Sequence, residues 1–217
     1  MNDPKLNSVL KWAIENSDAS RNDPSAGHDP AAASNPSKGL DPELLASLMG
    51  GPSDADLMME SMAAIHSPEV DLENKMVAWD NFEQLIENLD NANNMANLGL
   101  WQPLVQKLED EEAEVRRMAL WCIATAVQNN IKSQESLLAV GATPKMVDLA
   151  VNDPHQATRK KAVMALSSQV RNYQPGLDEA LKHIPEQFKT SDKVDAGDMD
   201  AVDEVIHKMR EHATKSS

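Results

Sequence analysis

An all-helical solenoid, assembled from repeated three-helix units, is the fold this sequence predicts, and three observations predict it. Aromatic residues make up only 3% of the 217-residue chain. Leu, Val, Ile, Met and Ala must therefore fill the core, whereas strands favour β-branched and aromatic residues. The chain also repeats itself with a period in the low forties, and each period carries three helical patterns. Glycine marks the end of one helix in each period, and proline the start of the next.

The repeat is visible residue by residue. At a shift of 42, Gly99 falls on Gly141 and Val105 on Val147, so that "LGLWQPLV" overlies "VGATPKMV". One inserted residue later the shift is 43, pairing Arg116 with Arg159, Ala119 with Ala162, Ile123 with Leu166 and Val127 with Val170. Carried backwards at 42, the alignment places Met118 on Met76, Trp121 on Trp79 and Val127 on Leu85. Three helices per unit favour an armadillo-like α-solenoid, a right-handed superhelix, over the two-helix HEAT arrangement.

From the N-terminus, residues 1–16 predict a short amphipathic helix with Leu6, Val9, Leu10, Ala13 and Ile14 on one face. Residues 17–40, rich in Pro, Ser, Ala, Asp and Gly, predict a disordered linker. Residues 41–68 predict two short helices, "DPELLASLMGG" and "SDADLMMESMAAIHS". Their Met58, Met59 and Met62 serve either as a seal on the end of the core or as an adaptable binding segment. The repeats are expected to occupy 69–189. The asparagine-rich "LDNANNMANLG" matches "IKSQESLLAVG" in the next unit, and so predicts a corner between a long helix and the following short one. After Tyr173 the pattern weakens. The polar "KTSDKVDAGDMD" predicts a mobile segment, and Val202, Val205, Ile206 and Met209 predict a last helix capping the stack within 190–217.

Chemistry is sparse. The six histidines and the single Cys122 form no metal-ligand spacing, and there is neither a phosphate-cradling glycine loop nor a nucleophile elbow. No catalytic group, metal or cofactor is expected, and Cys122 reads as a core residue in a protein of a reducing compartment. A net charge of −15 disfavours nucleic acid and anionic membranes, and no apolar run predicts a signal peptide or membrane span. A soluble cytoplasmic monomer is the expectation.

A binding surface remains. On the long helices, Lys75, Trp79 and Glu83 overlie Arg117, Trp121 and Thr125, which overlie Lys160, Met164 and Ser168. Steps of four keep each trio on one face. This stripe is expected to line the inner surface, or else the two tryptophans are core. Between Glu69 and Glu114 there are twelve acids and two bases, but between Val115 and Lys189 ten bases and six acids, an asymmetry that would orient a partner of opposite pattern.

The stretch "SPEVDLENKMVAWDNFEQLIENLDNANNMANLGLWQPLV", with "AVQNN", "LNSVLKWAIENS" and "MGGPSDADLMMESMAAI", resembles the fungal Fes-type armadillo exchange factors, relatives of the animal heat-shock-protein-binding protein. The resemblance implies binding to the ATPase domain of a 70-kDa heat-shock chaperone and accelerated ADP release, without hydrolysis. It implies contacts at the corner Asp90, Asn91, Ala92, Asn93 and Asn94, with Ala92 small enough for close approach and tolerant of substitution by arginine. It also implies a role in polypeptide release for the segment around Leu44, Leu45, Leu48, Met49, Met58, Met59 and Met62. An armadillo adaptor for extended peptides is the alternative. Such grooves use repeated Trp-x-x-x-Asn pairs, but Glu83 follows Trp79 and Thr125 follows Trp121 at that spacing.

Overall fold

The computed structural model describes residues 51–190 and 193–215. The expected helix at 1–16, the linker at 17–40 and the residues Leu44, Leu45, Leu48 and Met49 lie outside the described residues. The compact unit that carries the repeats begins at Asp54.

Helix α1 (Asp54–His66) starts with Asp54 and Asp56 in its first turn, where carboxylates offset the helix dipole. Met58, Met62 and Ile65 are buried on one stripe and α1 packs against the next helix. Met58 and Met62 are therefore core residues, at 0% and 4% exposure, and cannot form a free binding segment, whereas Met59 is 51% exposed. Of the two roles open to α1, the seal on the core is the one its burial supports.

Helix α2 (Leu72–Ile86) is capped by Asp71, whose Oδ1 accepts the Asn74 amide at 2.9 Å. A corner helix α3 (Leu89–Asn94), a short α4 (Trp101–Gln106) with a 3-10 turn at Lys107–Glu109, and the long α5 (Ala113–Val127) complete the next unit. The pattern recurs as α6 (Ile131–Ala139), α7 (Thr143–Asn152) and α8 (Gln156–Val170). Gly99 and Gly141 close the short helices at φ of 67° and 72°, a conformation that costs glycine least. α2, α5 and α8 stand side by side, and Trp79, Phe82, Leu104, Leu120, Ile123 and Met146 are buried among them and the short helices.

The repeat does not decay after Tyr173. Helix α9 (Gln174–His183), a 3-10 turn at Glu186–Phe188 and α10 (Met199–Thr214) follow α6, α7 and α8 at the same 43-residue spacing. Val205, Ile206, Met209 and Ala213 take the core positions of Ala162, Val163, Leu166 and Val170, and α10 packs on α8 as the fourth long helix in the row. The expected mobile segment is also corrected over 193–198. There Val194 and Ala196 are buried, and Ala196 O accepts the Asn172 amide at 2.9 Å. Their burial was hidden because each apolar residue stands alone among polar neighbours.

An arginine near the start of α5, and another near the start of α8, fastens its helix to the loop before it and to the unit that follows. Arg116 donates through Nη1 to the carbonyls of Asp110 and Glu111 at 2.8 and 2.9 Å, and through Nε to the buried Asp153 carboxylate at 2.8 Å. Arg159, its equivalent, donates to the carbonyls of Asp153, Pro154 and Lys215 at 2.7, 3.2 and 2.6 Å. Each guanidinium thus satisfies carbonyls that no helix ladder reaches.

Candidate functional site: the outward face of the long helices

The helix boundaries correct the sequence alignment of the first unit by one residue. α2 and α5 start 41 residues apart, although Asn88 and Asn130, which cap α3 and α6, are 42 apart. The extra residue is Asn129, in the left-handed region at φ 53°, and Asn172 repeats it at φ 56°. The corner after α2 lacks it: Glu87 is right-handed and Asn88 caps α3 directly.

One residue on a helix is a rotation of about 100°, so the trio on α2 changes completely. Trp79 is the equivalent of Leu120, not of Trp121, and both are 0% exposed. Lys75 is the equivalent of Arg116. It is half-buried, and its charge is felt at Asp110 and His66 at the rear of the stack. Neither Lys75 nor Trp79 belongs to the outward face. The residues that occupy it on α2 are Met76, Asp80 and Gln84, of which Asp80 and Gln84 are exposed.

Arg117, Trp121 and Thr125 on α5 are half-buried, and on α8 Lys160 and Met164 are exposed with Ser168 half-buried. Contacts between helices turn these trios into a ladder. Thr125 Oγ1 donates to Glu83 Oε1 on α2 at 2.7 Å, and Lys161 Nζ on α8 lies 3.8 Å from the centre of the Trp121 ring. The cation held over the indole face fixes the ring, which stays half-buried. Burial, then the neighbouring Arg117 charge, hold the Lys161 ammonium below the usual lysine range. Arg117 itself is steered by Glu114, with Nη2 at 2.6 Å from the carboxylate. Lys161 was missed in the sequence because Lys160 occupied the aligned position. The signal was the i+4 relation of Lys161 to Ala157 and Ala165, which sets it beside the α5 face.

Charge changes sign along this face. Asp80 and Glu83 stand at the α2 end, with Lys160, Lys161 and Arg171 at the α8 end. Arg171 forms an ion pair with Asp203 on α10 and donates to Ser167 Oγ at 3.0 Å. The Arg171 hydrogen bond holds the Asp203 carboxyl below its ordinary range. A carboxylate depressed by folding contributes stability above its unfolded pKa, and the contribution is lost as pH falls through the folded value. The urea midpoint of Asp203→Asn is therefore expected below that of the parent at neutral pH, and to converge with it in acid as the Asp203 carboxylate is protonated. A gap that persists in acid would show that the pair does not link α8 to α10.

The corner residues are chiefly structural. Asn91 Nδ2 donates to Asp54 Oδ2 at 2.8 Å and to Leu85 O at 2.9 Å, tying α3 to α1 and α2. Ala92 is 2% exposed, in contact with the core, and cannot meet a partner. Its equivalents Gln134 and Leu177 are each 1% exposed, so the position points inward in every unit. Asn94 accepts the Asn97 amide at 3.1 Å, and the Asn93 Oδ1 is buried. Asp90, beside Leu89 at 57% exposure, is exposed, while Asn91, Asn93 and Asn94 are half-buried.

Comparison with known proteins follows the same architecture. The family model "Nucleotide exchange factor Fes1" matches residues 6–95, and the SIL1/FES1/HPBP1 C-terminal domain matches residues 91–183. The chain is 56% identical over 220 residues, and all of both chains, to the Hsp70 nucleotide exchange factor FES1 of Gibberella zeae. It is 48% identical to the Coccidioides immitis protein of the same description, over 96% of this chain and 98% of that one. The Neurospora crassa relative is 45% identical over 97% and 98%. Among solved structures, a designed armadillo repeat protein superposes with a TM-score of 0.51 at 18% identity, covering 72% of this chain and 70% of its own. That likeness identifies the fold as armadillo-like.

Proposed function

This chain belongs to the Fes1 family of Hsp70 nucleotide exchange factors, and from that membership we propose that the outward face of α2, α5 and α8 grips the ATPase domain of a 70-kDa heat-shock chaperone and speeds ADP release. The protein is a chaperone cofactor, not an enzyme. The observation that carries the placement is the Trp121 ladder. An indole fixed by Lys161 at 3.8 Å, flanked by Arg117, offers the residue types that dominate binding energy, already ordered and partly exposed. The chaperone interface, the monomeric state and a cytosolic location are parts of the same reading.

The mechanism needs no bond to be made or broken. A rigid face that fits an opened nucleotide cleft better than a closed one lowers ADP affinity by the factor by which ADP weakens the grip. Such couplings amount to about 1–3 kcal/mol, or roughly 5–150-fold. Rigidity comes from the core on the other side of the same helices, where Leu120, Ile123 and Leu166 are fully buried.

The test is stopped-flow release of fluorescent ADP from the chaperone. The parent chain is expected to accelerate it, and Trp121→Ala to need about tenfold more protein for the same rate, a cost of about 1.4 kcal/mol in binding. Because the ring is only half-buried, the variant should lose no more than about 2 kcal/mol of stability. Unchanged release with the parent protein would defeat the exchange reading. Unchanged potency of Trp121→Ala would move the interface elsewhere.

A further inference from the structure

Along the face of α8 that carries Lys160, Met164 and Ser168, between the corner that follows α5 and Arg210 of α10, lies an open pocket of about 460 Å³. Lys160, Arg171 and Arg210 line it, and no carboxylate does. In a chain of net charge −15, three cations around one hollow is a local reversal of sign. Gln128 and the left-handed Asn129 add amide groups from the corner after α5, and Met164, 40% exposed, adds an apolar wall.

The cations differ in how far they are committed. Arg171 is paired with Asp203, which lies outside the lining. Lys160 donates only to the neutral Gln156 Oε1, at 3.2 Å. Arg210 is exposed and stands on the ridge between this pocket and an acidic flank of Asp200, Asp203 and Glu204.

We propose that this pocket receives an acidic side chain of the chaperone, a carboxylate carried next to an apolar residue, with Lys160 and Arg210 facing the carboxylate and Met164 packing the apolar neighbour. The proposal rests on the exchange-factor reading and names one contact within it. A free anion gains nothing from the Met164 wall and must compete with water at exposed cations. A carboxylate delivered by a docked protein arrives at high effective concentration, which is the situation in which an open, half-solvated basic pocket binds. Charge at such a position chiefly sets the association rate and its salt dependence.

The experiment measures affinity for the chaperone ATPase domain, its salt dependence, and ADP release for the parent chain, Arg210→Glu and Lys182→Glu. Lys182 is exposed on α9, outside the pocket, and its substitution changes net charge equally. Arg210→Glu is expected to weaken binding about tenfold at low salt and to flatten the salt dependence, with Lys182→Glu within about twofold of the parent. Thermal melting of Arg210→Glu close to the parent identifies the loss as one of contact; if the variant melts early, Lys160→Ala gives the same comparison from the other side of the pocket. Equal losses in both charge-reversal variants, or none in either, overturn the proposal while a parent chain that speeds release keeps the exchange reading. A parent chain that fails to speed release overturns both. Saturable titration of inorganic phosphate into the pocket by NMR, with chaperone affinity unchanged in Arg210→Glu, also overturns it in favour of a free-anion site.

Discussion

Ala92→Arg is expected to destabilise the protein by more than about 4 kcal/mol, a loss that small domains seldom survive. The methyl group of Ala92 is 2% exposed, on a short helix that touches α1, α5 and α6. Arginine there must either push those helices apart, which costs about 1–3 kcal/mol for much smaller additions, or bury a guanidinium without a partner, which costs several more. Urea denaturation followed by circular dichroism should show a collapsed midpoint or no cooperative transition. Asp90→Arg, two residues away and exposed, should unfold like the parent. A stable Ala92→Arg protein would mean that α3 swings free of the core, and its contacts with α1, α5 and α6 would be wrong.

Arg116→Ala is expected to cost about 3–5 kcal/mol, because it leaves the Asp153 carboxylate buried without its cation. The Asp153 side chain is 1% exposed and that of Arg116 10%. One Asp153 oxygen meets Arg116 Nε at 2.8 Å and the other accepts the His155 amide, also at 2.8 Å, at the entry to α8. The second contact argues for a double-variant test. Asp153→Asn keeps an acceptor for His155 while removing the charge, so Arg116→Met with Asp153→Asn should cost less than the sum of the single changes by about 1–3 kcal/mol. Simple additivity in urea unfolding would show that the pair does not act as a unit.

Much of the architecture could be read in the sequence because the solenoid writes its corners in glycine and proline. Gly99 and Gly141, with Pro103 and Pro144 behind them, fix the unit length without reference to the core. The core of α5 and α8 was equally plain, since Ala119, Ile123 and Val127 recur as Ala162, Leu166 and Val170. The fourth unit was not legible for a physical reason. Its second helix has shrunk to the turn Glu186–Phe188, and among the described residues of the loop after it only Val194 and Ala196 are buried, so no apolar stripe repeats between α9 and α10.

The proposed binding face was half legible. Arg117, Trp121, Lys160 and Met164 lie where helical spacing puts them, because α5 and α8 keep one register. Lys75 and Trp79 failed together, through a single missing residue in the corner before α3, and the identity of Trp79 with Trp121 made the wrong register look attractive. Ala92 failed differently. Its partner in the next unit is the polar Gln134, whose amide is buried by donating to the carbonyls of Ser168, Gln169 and Arg171 at 2.9, 3.2 and 3.1 Å. Hydropathy cannot flag a core position that one unit fills with a methyl group and the next with a hydrogen-bonded amide.

The left-handed Asn129 and Asn172 have an evolutionary corollary. Both sit in solvent-facing bends, so a single codon gained or lost there adds or removes no buried side chain while renumbering all that follows. Duplicated units can therefore drift out of step in the gene while remaining superposable in space. Any transfer of contact residues from one repeat, or one species, to another must be re-indexed at each bend before it means anything.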